Sequence, residues 1–262
     1  MDFRSLPCLV LDLDGVVYRG EDVIAGAPEA IAHFRRAGKK IAFLTNNSAS
    51  AASKVVEKLC RLGVSCHESD LITAGQAAAI FIREHHLDSG KGVFVVGTDA
   101  LRQELLNQGL ACSQPDTCGA LLVGLDPNFH YSVIAQALIA LKRSIPFIIC
   151  NRDASYPGRN GVPMPGCGAM VGAIEASSER TADFEVGKPN TIMFELIAQR
   201  LQVKPEDCLV VGDSLSSDVL MANRARVASV WISDLSRAAV HAAIATPDAC
   251  VQSLQELEPL VL

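Results

Sequence analysis

The chain has 262 residues, 49% hydrophobic and 20% charged, a balance that excludes a disordered protein and allows one large or two modest globular domains. Its formal net charge of −6 argues against nonspecific binding to nucleic acid or an anionic membrane, and no apolar run reaches the ~18 residues of a membrane span. Nine cysteines without a Cys-x-x-Cys pair, several inside apolar runs (Cys8, Cys150, Cys208), predict reduced buried thiols, a cytoplasmic setting and no thiolate metal site.

Met1-Asp2-Phe3-Arg4-Ser5 leads straight into the first apolar run, so no secretory signal is expected. That run, Cys8-Leu9-Val10-Leu11, reads as a strand buried on both faces. It ends in Asp12-Leu13-Asp14-Gly15. On a strand, i and i+2 point to the same side, so Asp12 and Asp14 are expected to face one small space at its carboxyl end. Two carboxylates about 4 Å apart repel by roughly 4 kcal/mol at an effective dielectric near 20, which calls for a cation, a proton or a strong donor. Gly15 permits a sharp turn behind them. A helix is predicted over 27–37, with Pro28 in its first turn and Gly38 as its stop. The apolar run 41–44 ends in Thr45-Asn46-Asn47-Ser48. Val55, Leu59 and Leu62 mark the next helix, which ends at Gly63. A short strand at 71–73 and a helix at 75–86 follow, and His85-His86 reads as an exposed helix-end pair.

From about Asp88 the pattern restarts, with strands at 92–96, 120–123 and 147–150 and helices at 99–107 and around Val133 to Leu141. A polar loop rich in Pro and Gly spans 151–168 and carries Asn151, Arg152, Asp153, Tyr156 and Arg159. Within it, Gly166-Cys167-Gly168 with Gly172 follows Pro163 and Pro165 rather than a strand, so it reads as close backbone packing and not as a dinucleotide fingerprint. A helix to about Ser177 ends this stretch. Phe184-Glu185-Val186 then leads into Gly187-Lys188-Pro189, and a helix carries Phe194, Ile197 and Leu201 on one face. The strand 208–211 ends in Gly212-Asp213, with Asp218 five residues on. A helix, a strand at 227–231, another helix and a short tail complete the chain. This alternation predicts an α/β fold: a doubly wound parallel-sheet, Rossmann-like core of residues 1–85 and 184–262, with an inserted α/β domain at 86–183.

In parallel sheets, sites form beyond the carboxyl ends of strands. Asp12 and Asp14, Thr45 and Asn46, Lys188, and Asp213 with Asp218 all fall there. Singly, each reads as a turn, a cap or a surface lysine. In this order, at equivalent strand ends, they form one joint signal.

At these four motifs the chain resembles the haloacid dehalogenase-like hydrolases. It is most similar to the subfamily of nitrophenyl, ribonucleotide (NagD-like), pyridoxal and glycerol phosphate phosphatases. Those enzymes carry an α/β cap where the inserted domain lies, and the stretches Asn151-Arg152-Asp153 and Pro165-Gly166-Cys167-Gly168 resemble that cap too. The resemblance implies a cytoplasmic phosphatase of small phosphomonoesters that works through an aspartyl-phosphate. Asp12 would attack phosphorus and Asp14 would act as acid and base. Mg²⁺ would be held by Asp12, the Asp14 backbone carbonyl and Asp213, with Asp218 orienting Lys188 or a metal-bound water. Thr45, the Asn46 N–H and Lys188 would bind the phosphoryl group. In the cap, Asn151 and Asp153 would contact the substrate. An acid at position 14 points to phosphate ester hydrolysis or transfer, because dehalogenases of this family lack it and cation-pumping ATPases carry threonine there. The partner is a small phosphate ester, with cap-to-cap homodimers a further implication. A phosphotransferase using the same aspartate and a catalytically silent binding protein are the alternatives. Trp231-Ile232-Ser233-Asp234-Leu235 replaces a small Thr-Gly-like turn and departs from the subfamily pattern.

Overall fold

The computed structural model describes residues 2–158, 162–233 and 244–262. Arg159, Asp234 and Leu235 lie outside the described residues. In chain order the elements are β1 (Cys8–Asp12), β2 (Tyr18–Arg19), β3 (Asp22–Val23), α1 (Ala27–Arg36), β4 (Lys40–Thr45), α2 (Ala52–Arg61), β5 (Leu71–Thr73) and α3 (Ala74–Glu84). Then come β6 (Val93–Val96), α4 (Asp99–Asn107), β7 (Ala120–Val123), α5 (Tyr131–Leu141), β8 (Phe147–Ile149), β9 (Ser155–Pro157), β10 (Pro163–Pro165), α6 (Cys167–Ser178) and β11 (Phe184–Glu185). The last are α7 (Ile192–Leu201), β12 (Cys208–Gly212), α8 (Leu220–Ala225), β13 (Ala228–Ile232), β14 (Ala249–Val251) and α9 (Leu254–Val261). No described helix is long and apolar enough to cross a membrane.

The chain forms two compact units: Met1–Thr45, Ser53–Ile72 and Lys188–Leu262 in the first, and Asn46–Ala52 with Thr73–Gly187 in the second. The main sheet runs β14-β13-β12-β1-β4-β5. β1 is buried along its whole length and pairs in parallel with β12 on one side and β4 on the other. From β1 the chain first winds one way, to β4 and β5, and later the other way, from β12 to β14. That reversal makes the carboxyl ends of β1 and β12 a topological switch point, where a crevice opens in such sheets. α1 starts with Pro in its first turn and buries Ala30, Ile31 and Phe34, and it packs on the terminal helix α9.

The second unit has its own parallel sheet, ordered β11-β8-β7-β6. Residues 46–52 and α3, read from sequence as part of the core, cluster with this unit. The reason is visible in their bonds. Glu104 accepts the Ala52 N–H at 2.9 Å, Thr98 donates to the Ala49 carbonyl at 2.9 Å, and Leu125 N–H donates to Ser48 Oγ at 2.9 Å. α3 packs on α4.

The structure adds elements the sequence reading lacks. The 151–168 segment is no plain loop: β9 and β10 pair antiparallel, with Met164 opposite Tyr156. Prolines mask a strand in sequence, yet they are tolerated in an isolated two-stranded ribbon whose edges need no further donors. A two-residue hairpin, β2 with β3, follows Gly15. Beyond residue 244 the described chain adds a short strand, β14, before the helix α9, and Ser253 caps α9 by accepting the Glu256 N–H. One turn of π-helix, Leu215–Val219, precedes α8. Gly166 and Gly168 do press on backbone, since a Cβ on either would overlap the Asp153 or Arg152 carbonyl, whereas Gly172 has open space. His85 and His86 are exposed, as read.

Candidate active site

The apolar run of β1 ends at Asp12 because the next residues turn back. The Val16, Val17 and Tyr18 N–H groups all point to the Leu13 carbonyl, at 3.3, 2.9 and 3.2 Å. Strand alternation therefore stops at Asp12, and the expectation that Asp12 and Asp14 share one small space needs correction. The carboxylates that converge are those of Asp12, Asp213 and Asp218, whose ligand atoms lie within 4.8 Å of one another. Asp14 stands beside them in the turn, near enough to Asp213 and Lys188 to feel their charge.

Lys188 ties this cluster together. Its Nζ donates to Asp12 Oδ1 at 2.6 Å and to Asp218 Oδ1 at 2.7 Å, and it approaches the Leu44 carbonyl at 3.5 Å. The lysine is 3% exposed, so it is no solvated surface residue. Burial works against the ammonium, but Asp12 and Asp218 outweigh it, and its pKa is raised. The Lys188–Pro189 peptide is cis. Asp218 is committed on both oxygens, because Oδ2 accepts the Ser214 N–H at 3.1 Å.

Burial pushes the Asp12 carboxyl well above its usual range, with Asp218 and Asp213 adding to the push and Lys188 opposing it. The Asp14 carboxyl is also raised by burial, opposed by Lys58 and Lys188 and by a hydrogen bond from Tyr18. Asp213 is pushed up to about 6 by burial and by the charges of Asp218 and Asp14. The residue nonetheless keeps contact with solvent, which screens those neighbouring charges.

Glycines make this packing possible. Gly15 has φ +84°, and a Cβ there would overlap the Asp213 carboxylate. A Cβ on Gly212 would overlap Asp218. Trp231 is a residue that sequence reasoning flagged only as a departure. It is buried in β13, and its indole N–H donates to the Asp213 carbonyl at 2.9 Å, fixing the backbone that carries that carboxylate. Ser233 closes the described part of this segment.

Thr45 is buried at the end of β4, beside β1, and Asn46 is the next residue. Asn151 is buried, and its amide donates to the Asn46 carbonyl at 2.7 Å, while Asp153 accepts from the Asn46 amide at 3.0 Å.

A haloacid dehalogenase-like hydrolase profile matches residues 9–111, and a HAD-hydrolase-like profile matches 185–257. Sugar-phosphatase AraL of Bacillus subtilis is 31% identical over 96% of this chain and 92% of its own. The chain belongs to the haloacid dehalogenase-like hydrolases. Within that family it sits among the phosphatases. A 4-nitrophenylphosphatase structure from Thermotoga maritima superposes with a TM-score of 0.92, at 26% identity and with 100% of both chains covered. A glycerol phosphate phosphatase from Mycobacterium tuberculosis, solved in complex with magnesium, gives 0.88 at 28% identity over 97% of this chain and 76% of that one.

Proposed function

We propose that the protein is a Mg²⁺-dependent phosphatase that hydrolyses small phosphomonoesters through an aspartyl-phosphate on Asp12. The observation that carries this reading is Asp12 itself, fixed at the tip of the central strand. Its Oδ1 is bound to a buried lysine, and two further carboxylates converge on it. The relatives named above act on sugar, nitrophenyl and glycerol phosphates, which supports a small ester as substrate.

A divalent cation fits the donor set. Three carboxylates against one ammonium leave a double negative charge. The donors are all oxygens, as Mg²⁺ prefers. Asp218 is already spent on Lys188 and Ser214, which leaves Asp12, Asp213 and the Asp14 backbone carbonyl to hold the ion. When bound, the ion offsets carboxylate repulsion and draws charge from a phosphate oxygen.

The rest is done by the chain's own groups. Lys188 holds Asp12 in one orientation and balances charge as the carboxylate attacks. The leaving oxygen takes its proton from Asp14, whose raised pKa suits an acid. Asp14 then receives the proton of the water that frees phosphate. Thr45 and the Asn46 N–H bind the remaining phosphoryl oxygens. Substrate choice we assign to the second unit. Nitrophenyl phosphate turnover by the wild type and Asp12→Asn, with and without a chelator, tests this. Asp12→Asn should stay folded and lose roughly a thousandfold or more in kcat. Near-normal turnover in that variant would remove the covalent mechanism. Alcohol acceptors in the same assay separate hydrolysis from transfer, and hydrolysis is the expected outcome.

A further inference from the structure

Sequence reading sends Asn151 and Asp153 to the substrate, but both side chains are spent elsewhere. Asn151 is 2% exposed. Its Nδ2 donates to the Asn46 carbonyl at 2.7 Å, and its Oδ1 accepts the Asp153 N–H at 3.0 Å. Asp153 Oδ2 accepts from Asn46 Nδ2 at 3.0 Å. The two residues thus grip one neighbour by its backbone and by its side chain.

The grip is itself braced. Gly168 N–H donates to the Asp153 carbonyl and Gly166 N–H to the Ala154 carbonyl, each at 2.9 Å. Arg152 makes a bidentate pair with Glu175 at 2.9 and 2.8 Å. Gly187 closes the other side: a Cβ there would stand 2.7 Å from Asn46 Oδ1 and 3.0 Å from Asn151 Cβ.

We propose that Asn151 and Asp153 are positioning residues for Asn46, locking the peptide that follows Thr45, and not groups that recognise the leaving portion of the substrate. The inference rests on reading Thr45 and Asn46 as phosphoryl-binding groups. With the carbonyl and side chain of Asn46 both held, the position of its Cα, and so of the amide nitrogen bonded to it, is restricted. A donor fixed in advance binds developing phosphoryl charge better than one on a free turn. Because the phosphoryl group is common to every substrate, loosening the grip should cost all substrates alike.

The experiment measures kcat/KM for glycerol phosphate, a sugar phosphate and nitrophenyl phosphate, together with inhibition by inorganic phosphate. Asn151→Ala and Asp153→Ala should lower every kcat/KM by one common factor, about tenfold or more, and weaken phosphate inhibition. Asp153→Asn keeps an acceptor oxygen and should retain most activity. Combining Asn46→Ala with Asp153→Ala should cost little more than either change alone. A reordered substrate preference with unchanged phosphate inhibition, or fully multiplicative losses in the double variant, would overturn the proposal. Thr45→Ala separates the two levels. If it leaves phosphate inhibition unchanged, the phosphoryl-binding reading falls and takes this inference with it. If it weakens inhibition while Asn151→Ala and Asp153→Ala do not, only the inference falls. Should Asn151→Ala fail to fold, the two Asp153 variants decide.

Discussion

Lys188 keeps its charge in a place where burial would ordinarily strip it, because Asp12 and Asp218 sit within 2.7 Å of it. Removing one member of such a group leaves uncompensated buried charge, at a cost of about 3–5 kcal/mol. Lys188→Met should therefore lose stability on that scale in urea denaturation at pH 8, and less at pH 5, where protonation of Asp12, favoured by its burial, relieves the repulsion. An equal loss at both values would show that the lysine matters only for packing. Asp213 gives the complementary test. Its folded pKa of about 6 lies above the unfolded value of about 3.9. Between those values the folded state binds more protons, so in the metal-free protein its contribution to stability is present at low pH and lost as pH rises through 6. Protons and cation compete for the same oxygens. The thermal shift given by Mg²⁺ should accordingly be large at pH 7.5 and small at pH 5.5. A shift independent of pH would place the ion away from Asp213.

At the scale of elements, β12 and β13 hold Asp213 in place from below. Trp231→Phe keeps most of the buried ring but abandons the Asp213 carbonyl, which should cost about 1 kcal/mol and raise the Mg²⁺ concentration needed for half activity. Unchanged Mg²⁺ dependence would reduce the indole bond to a packing detail. This bond illustrates what sequence can and cannot carry. Apolar runs ending in Asp12, Thr45 and Gly212 announce their strands, because a parallel strand buried on both faces is nearly continuous in apolar residues. The partner of an indole N–H depends on tertiary placement, and no local pattern encodes it. The same limit hid the β9–β10 hairpin behind Pro163 and Pro165. It also hid β14, three residues long, below the length at which periodicity speaks. Alternation misled at Asp14, where the chain had already left the strand.

Across the whole molecule, the first unit assembles its candidate site from four stretches far apart in sequence: the end of β1, the end of β4, Lys188, and the segment from Asp213 to Asp218. Four motifs, in order, made those residues legible before any fold was known. Their meeting follows from the reversal of winding direction at β1. The hold on Asn46 was not legible, since Asn151 and Asp153 lie more than a hundred residues from it and meet it only in the folded chain. Central to the proposed mechanism is a covalent bond from Asp12 to phosphorus. The decisive measurement is to quench turnover with acid, reduce the trapped species with borohydride, and locate the modified residue by peptide mass spectrometry. Conversion of Asp12 to homoserine, dependent on substrate and absent from Asp14, is the result expected. Modification at another residue, or none during full turnover, would contradict it.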